Sequence, residues 1–187
     1  GHQTTASGAA AHSEGTLTEA SGDYSHAEGS ESEASGNSSH AEGIGTIANN
    51  VATHAEGYQT QSTGEASHSE GNETIASGNN AHAEGFQSVA SNGAAHAEGH
   101  QTTASGLASH SENYGTVASG DYSHAEGVGT STNNLDGAHI MGRHGDADTA
   151  FSWFLANGTD SANKGLAAKI LVDGNAYIDV AWNAGGA

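Results

Sequence analysis

The chain contains no cysteine and no proline, and only three of its 187 residues are Lys or Arg. Without Cys there is neither a disulfide framework nor thiolate chemistry. The absence of Pro, together with Gly that does not recur at every third position, excludes collagen. Three cations stand against 22 Asp and Glu, a formal net charge of -19. Such a surface cannot neutralise phosphates, so nucleic acid is not expected as a partner, and anionic membranes are disfavoured. No apolar run of transmembrane length and no signal-peptide pattern occurs, so membrane insertion is not expected of this segment. Large apolar residues are scarce before residue 135, where Ala, Ser, Thr and Gly dominate. Residues 1–135 therefore cannot assemble a conventional core of Leu, Ile and Phe. Low hydrophobicity with a high net charge is also the signature of disorder, but the strict periodicity described next argues against it.

Histidine recurs every 14 residues, at His12, His26, His40, His54, His68, His82, His96, His110 and His124. Two positions after each stands Glu: Glu14, Glu28, Glu42, Glu56, Glu70, Glu84, Glu98, Glu112 and Glu126. Gly follows each Glu except at Asn113, and Gly or Asn lies four residues before each His, from Gly8 to Gly120. The consensus is S-H-A-E-G-x-x-T-x-A-S-G-x-x. The octet Gly1 to Gly8 recurs as Gly99 to Gly106, so the chain opens inside a repeat and a longer polypeptide is expected.

A fixed period decides the architecture before any local reading. Fourteen residues equal two heptads, yet there is no a/d apolar seam, and each Gly would weaken a helix by about 1 kcal/mol. A β-solenoid fits. Each repeat then forms one coil with two short strands, His-Ala-Glu and Thr-x-Ala, and Gly and Asn occupy corners where φ is positive. Side chains alternate faces along a strand. Thr and Ala of Thr-x-Ala, and the Ala or Ser between His and Glu, are expected inside. The middle residue of Thr-x-Ala varies from Glu19 to Val117 and is expected outside, as are His and Glu. A coil lined by Ala, Thr and Ser buries little apolar area, at roughly 25 cal/mol per Å². Stability must come from stacking coils and from packing several chains together.

The His/Glu ladder is the candidate site. One reading is a hydrogen-bonded His–Glu network between chains. Another is nitrogen and oxygen ligation of zinc or a different transition metal by pairs brought together from three chains, or contact with an anion along the axis, and a third is a face of plain solvated side chains. In the network reading, a neighbouring carboxylate favours imidazolium, so His pKa values are expected to rise and the assembly to loosen with increasing pH. Nine near-identical copies are the wrong pattern for catalysis, which requires one special constellation. No nucleophile elbow, phosphate loop or zinc-protease motif occurs, so neither enzymatic activity nor a cofactor is expected. Ice binding, which uses regular Thr rows, is disfavoured by the inward assignment of Thr. The variable residues Ile44, Tyr58, Phe86 and Tyr114 are candidate surface ligand contacts, with ordinary surface decoration or inter-chain packing as the alternative.

The repeat resembles the head repeat of YadA-like trimeric autotransporter adhesins. Ser25-His26-Ala27-Glu28-Gly29 and Ala34-Ser35-Gly36 carry the resemblance, which covers about residues 1–142. It implies a left-handed parallel β-roll of 14-residue coils, assembled as a homotrimer. In that family an aliphatic pair faces the trimer interior; here His and Glu stand in its place, which implies a polar axis.

After residue 127 the register slips by one, and Gly137-Ala138-His139-Ile140-Met141-Gly142 reads as a last, degenerate coil. Apolar residues then become common. Lys169-Ile170-Leu171-Val172 and Ala176-Tyr177-Ile178-Asp179-Val180 flank Asp173-Gly174-Asn175, a hairpin signal. Residues 143–187 are expected to form a small β-rich neck or cap. Asp146 and Asp148 lack the spacing of a calcium loop and read as a turn. The segment resembles the stretch that precedes the self-cleaving intramolecular-chaperone domain of phage tail spikes and appendages, which implies a C-terminus produced by cleavage. Together these features predict an all-β trimeric fibre segment outside the cell, on a phage or prophage tail that attaches to a host surface. The alternative is a bacterial surface adhesin that binds host matrix through a cell-surface or matrix receptor.

Overall fold

The structure, a computed structural model, describes residues 1–179. It is an all-β solenoid of about eleven coils, roughly 14 residues each, with no helix among the described residues. A typical coil has a five-residue strand, His26–Ser30, followed by a two-residue strand, Glu33–Ala34. The five-residue strands stack in parallel and in register: His26 lies beside His40, Glu28 beside Glu42 and Gly29 beside Gly43. The short strands stack likewise, Glu33 beside Ile47 and Ala34 beside Ala48. This produces a 13-stranded and a 9-stranded sheet running side by side.

The interior is as small as its residues. Ala20, Ala27, Ala34, Ala41 and Ala48 are fully buried, and Thr18, Thr46 and Thr60 lie beside them. Some hydroxyls brought inside are turned onto nearby acceptors, Ser25 Oγ donating to the Gly22 carbonyl at 2.6 Å and Ser39 Oγ to that of Gly36 at 2.6 Å, whereas those of Thr46, Thr60 and Ser69 find no partner within the chain. With so little apolar area, the stack depends on backbone hydrogen bonds, which continue around the corners. The amide of Tyr24 donates to Ala9 O at 2.8 Å, and that of Glu31 to Thr16 O at 2.9 Å.

The corners differ from the expectation in one respect. Glycines after Glu do have positive φ, +101° at Gly29 and +115° at Gly43, and Asn113 adopts +78° in the same place. The glycines before the Ser-His step do not. At Gly22 the requirement is space, since an added Cβ would lie 2.0 Å from the carbonyl oxygen of Gly36 in the next coil. The left-handed corners fall instead on variable residues such as Tyr24 (φ +58°), Glu31 (+58°) and Ser38 (+57°). Left-handed geometry costs an ordinary residue about 1 kcal/mol or more; here it delivers the amide to the preceding coil. Where Asn50 replaces the spacing glycine, its Nδ2 donates to Thr63 O at 3.0 Å and its Oδ1 accepts from the Val51 amide.

The one-residue slip is absorbed at Asn133 and Asn134, two successive left-handed residues (φ +54° and +58°). Pairing then resumes, with His139 beside His124 and Ile140 beside Ala125. The parallel stack extends past the expected boundary at residue 142, because Trp153–Asn157 pairs in parallel with His139–Arg143. Direction reverses only at Leu166–Ile170, antiparallel to Trp153–Asn157, and again at Ala176–Ile178. The hairpin about Asp173-Gly174-Asn175 forms as expected, with the Leu171 amide donating to Asn175 O at 2.8 Å; Val180 lies outside the described residues. Asp146 and Asp148 are ion-pair partners, of Lys164 at 2.8 Å and Lys169 at 2.6 Å, and tie this terminal layer to the last coil. Among the described residues, only here does the core hold large apolar side chains: Phe154 and Ile140 are fully buried and pack with Ala125 and Ala138.

Two stability outcomes are expected. Gly43→Ala combines positive φ with a Cβ placed 2.1 Å from the Gly57 carbonyl oxygen, whereas Gly115→Ala has positive φ but nothing within 4 Å. Denaturant unfolding should show Gly115→Ala costing about 1 kcal/mol, and Gly43→Ala at least twice as much; equal costs would contradict the close-approach requirement. Phe154→Ala should cost about 3–5 kcal/mol, the largest loss of any single apolar truncation among the described residues, since Phe154 is the largest fully buried side chain there.

Candidate functional site: the histidine–glutamate face

The five-residue strand turns its Ala or Ser inward, so the His and Glu on either side point outward. In-register stacking then converts the repeat into columns. Rings of successive histidines from His26 to His124 lie 4.7–4.9 Å apart and nearly parallel. The spacing is the coil repeat itself. His12 meets His26 edge-on, His139 extends the column at 4.6 Å, and Trp153 closes it with a T-shaped contact. The parallel column of carboxylates runs from Glu14 to Glu126 and then changes to Met141 and Leu155.

All nine histidine–glutamate pairs expected from the repeat lie on this one face, but the carboxylates approach the rings in two ways. Up to Glu70, each Glu faces the His of its own coil, at 3.5 Å for His12–Glu14, 3.4 Å for His40–Glu42 and 3.7 Å for His68–Glu70. From Glu84 onward each faces the His of the following coil: His96–Glu84 at 3.8 Å, His110–Glu98 at 3.3 Å and His124–Glu112 at 3.1 Å. Only the last two are hydrogen bonds by geometry. The Nε2 atoms of His26, His40, His54, His68, His82, His96 and His139 are shielded from solvent without a hydrogen-bond partner within the chain. A continuous intrachain His–Glu hydrogen-bond network is therefore not what the face contains.

Two residues beyond the glutamates lies a third column. Ile44, Tyr58, Asn72, Phe86, His100, Tyr114 and Val128 are successive neighbours in it. The four variable residues singled out from the sequence are thus brought together, each at least one-third exposed. His100, which sequence reasoning passed over, stacks between Phe86 and Tyr114 at 4.8 and 4.7 Å. Its spacing of 14 from both was the available signal. Elsewhere on the coil, Gln101 Nε2 donates to Gln87 Oε1 at 2.9 Å and Gln87 Nε2 to Glu73 Oε2 at 2.7 Å, an amide ladder of the same origin.

The electrostatics of the face reverse the expectation for histidine. The pKa values of His68, His96 and His124 are lowered, first by burial and next by neighbouring histidines, and this outweighs the nearby carboxylates. Stacking at 4.8 Å puts two rings closer to each imidazole than a single repeat would suggest. Glu84 is pushed up to about 7, by burial and by hydrogen bonding to Glu98 and Glu70 above and below it, while Glu98 is lowered by the same contact with Glu84 and by His110. Neither the family models nor the curated proteins compared with this chain match it.

The linkage follows from these directions. A histidine whose folded pKa lies below its unfolded value contributes stability above the unfolded value of about 6.5 that is lost as pH falls. Glu84, raised in the fold, acts oppositely, and its contribution is lost as pH rises through about 7. Three lowered histidines set the acid side, so in chelator-containing buffer the melting temperature should fall between pH 7.5 and 5. Glu84→Gln should raise it at pH 8, with a smaller gain at pH 5 where the folded protein already holds that proton. A melting temperature that climbs steadily on acidification would contradict this account.

Proposed function

We propose that this chain is a structural and adhesive fibre segment, a homotrimeric left-handed β-roll outside the cell, on a phage or prophage tail that attaches to a host surface. The observation that carries this reading is the uniformity of the stack. About eleven coils at the β spacing of about 4.8 Å make a rod roughly 50 Å long, and the same His/Glu pair is displayed on every coil from His12 to Glu126. An object built this way transmits position and presents a tip.

Two features support a trimer. A coil lined by Ala, Ser and Thr has too little apolar interior to be robust alone. The face flanked by Ile44, Tyr58, Phe86 and Tyr114 exposes a continuous mixed apolar and polar strip of the kind that marks protein contacts. The resemblance of the repeat to YadA-like heads supports the trimeric β-roll, and that of the C-terminal region to the segment preceding a self-cleaving chaperone in phage appendages supports the phage setting over a matrix-binding adhesin.

Mass measurement by light scattering on untagged protein should return three chains per particle, and a monomer would sink the assembly. Labelled protein should then adsorb to intact bacterial cells and not to collagen- or fibronectin-coated surfaces. The reverse pattern would favour the adhesin.

A further inference from the structure

We propose that the histidine–glutamate face binds divalent transition-metal ions, with zinc as the reference ion, at about one ion for every two coils. The ligand sets lie within one chain, so the inference does not rest on the fibre reading.

The geometry that disappoints as hydrogen bonding suits ligation. Zinc–nitrogen and zinc–oxygen bonds of about 2.0–2.2 Å place neighbouring ligand atoms roughly 3.3–3.6 Å apart in a tetrahedron. The Nε2 to carboxylate distances are 3.4 Å at His40–Glu42, 3.5 Å at His54–Glu56 and 3.4 Å at His139–Glu126. The Nε2 atoms of all three histidines lack a hydrogen-bond partner. A third ligand comes from the next coil. In the sets His40/Glu42/His54, His54/Glu56/His68, His110/Glu112/His124 and His124/Glu126/His139, one ligand atom from each residue lies within 4.8 Å of the others. The stacked rings are parallel and their Nε2 atoms shielded, so the second imidazole must rotate toward the ion. Side chains that keep about one-third of their surface exposed leave room for that rotation, and water would supply the fourth ligand. Because His54 and His124 each belong to two sets, adjacent sets compete, which limits loading to about alternate coils.

Charge points the same way. The carboxylate column repeats at the coil spacing, and Arg143, Lys164 and Lys169, the only basic side chains apart from histidine, all follow its last member, Glu126. Each is already engaged: Arg143 Nε donates to Gly158 O at 3.0 Å, and the two lysines pair with Asp146 and Asp148. No Lys or Arg is interleaved with the carboxylates. A divalent ion supplies the missing positive charge, and imidazole nitrogen beside carboxylate oxygen selects zinc, copper or nickel over calcium.

The test is equilibrium dialysis of untagged, chelator-stripped full chain against zinc chloride and, separately, calcium chloride, with metal analysis of the retentate. More than one zinc per chain is expected, bound at least tenfold more tightly than calcium, and the triple substitution His40→Asn, His54→Asn, His68→Asn should lower zinc stoichiometry by at least one ion. Equal affinity for zinc and calcium, or unchanged stoichiometry in a folded triple variant, would overturn the proposal. If the triple variant does not fold, imidazole resonances of the wild-type chain decide: zinc should shift or broaden them, and unchanged resonances at saturating zinc reject the site. Mass measured in chelator separates this result from the fibre reading, since a trimer that ignores zinc defeats only the metal site.

Discussion

Everything in this molecule follows from one coil resting on the next at the β spacing, joined by backbone hydrogen bonds between neighbouring coils. The glycines enforce that approach. At Gly22 and Gly43 there is no volume between a Cα and the carbonyl oxygen of the neighbouring coil for even one carbon. The inner residues are small for the same reason, since two sheets joined by tight corners enclose only enough space for Ala, Ser and Thr. The usual relation between core and fold is inverted. Large apolar residues do not organise the stack, and among the described residues they are fully buried only at Ile140 and Phe154, where it ends.

Stacking identical coils also multiplies every surface side chain into a column at fixed spacing, whatever its chemistry. Amides profit, because each donates to the next, as from Gln101 to Gln87 to Glu73. Imidazoles stack, and the lowered pKa values of His68, His96 and His124 register the cost of charging a ring that is partly buried and lies between two others. Carboxylates suffer, and Glu84 responds by holding its proton up to about 7. The His/Glu face is thus a place where the fold forces like groups together and leaves ring nitrogens unpartnered. A partner chain and a metal ion are two ways of resolving the same tension.

The terminal region shows how such a stack is stopped. One extra residue at Asn133 and Asn134 shifts the register without breaking the sheet. Side chains then grow, and antiparallel strands cover the edge that another parallel coil would otherwise extend. The ion pairs from Asp146 and Asp148 fasten those strands to the solenoid, using two of the three Lys and Arg side chains in the molecule.

The solenoid, its period, the inward face of Ala and Thr and the outward face of His and Glu were legible in the sequence, because a strict 14-residue repeat admits one conformation per coil and strand alternation assigns the faces. The C-terminal hairpin was legible from its turn residues. The reason for the spacing glycines was not: Gly22 reads like a turn glycine, and only the neighbouring coil reveals that space, not φ, excludes a side chain. The end of the stack at Asn157 was hidden because the last strand, Trp153–Asn157, has lost the repeat's residue classes while keeping its pairing. The direction of the histidine pKa shifts was hidden too, since a sequence places Glu two residues from His, whereas the fold places another His above and below it. Period and pattern are local properties written along the chain. Close approach, burial and like-charge crowding arise between coils, and the tertiary structure alone decides them.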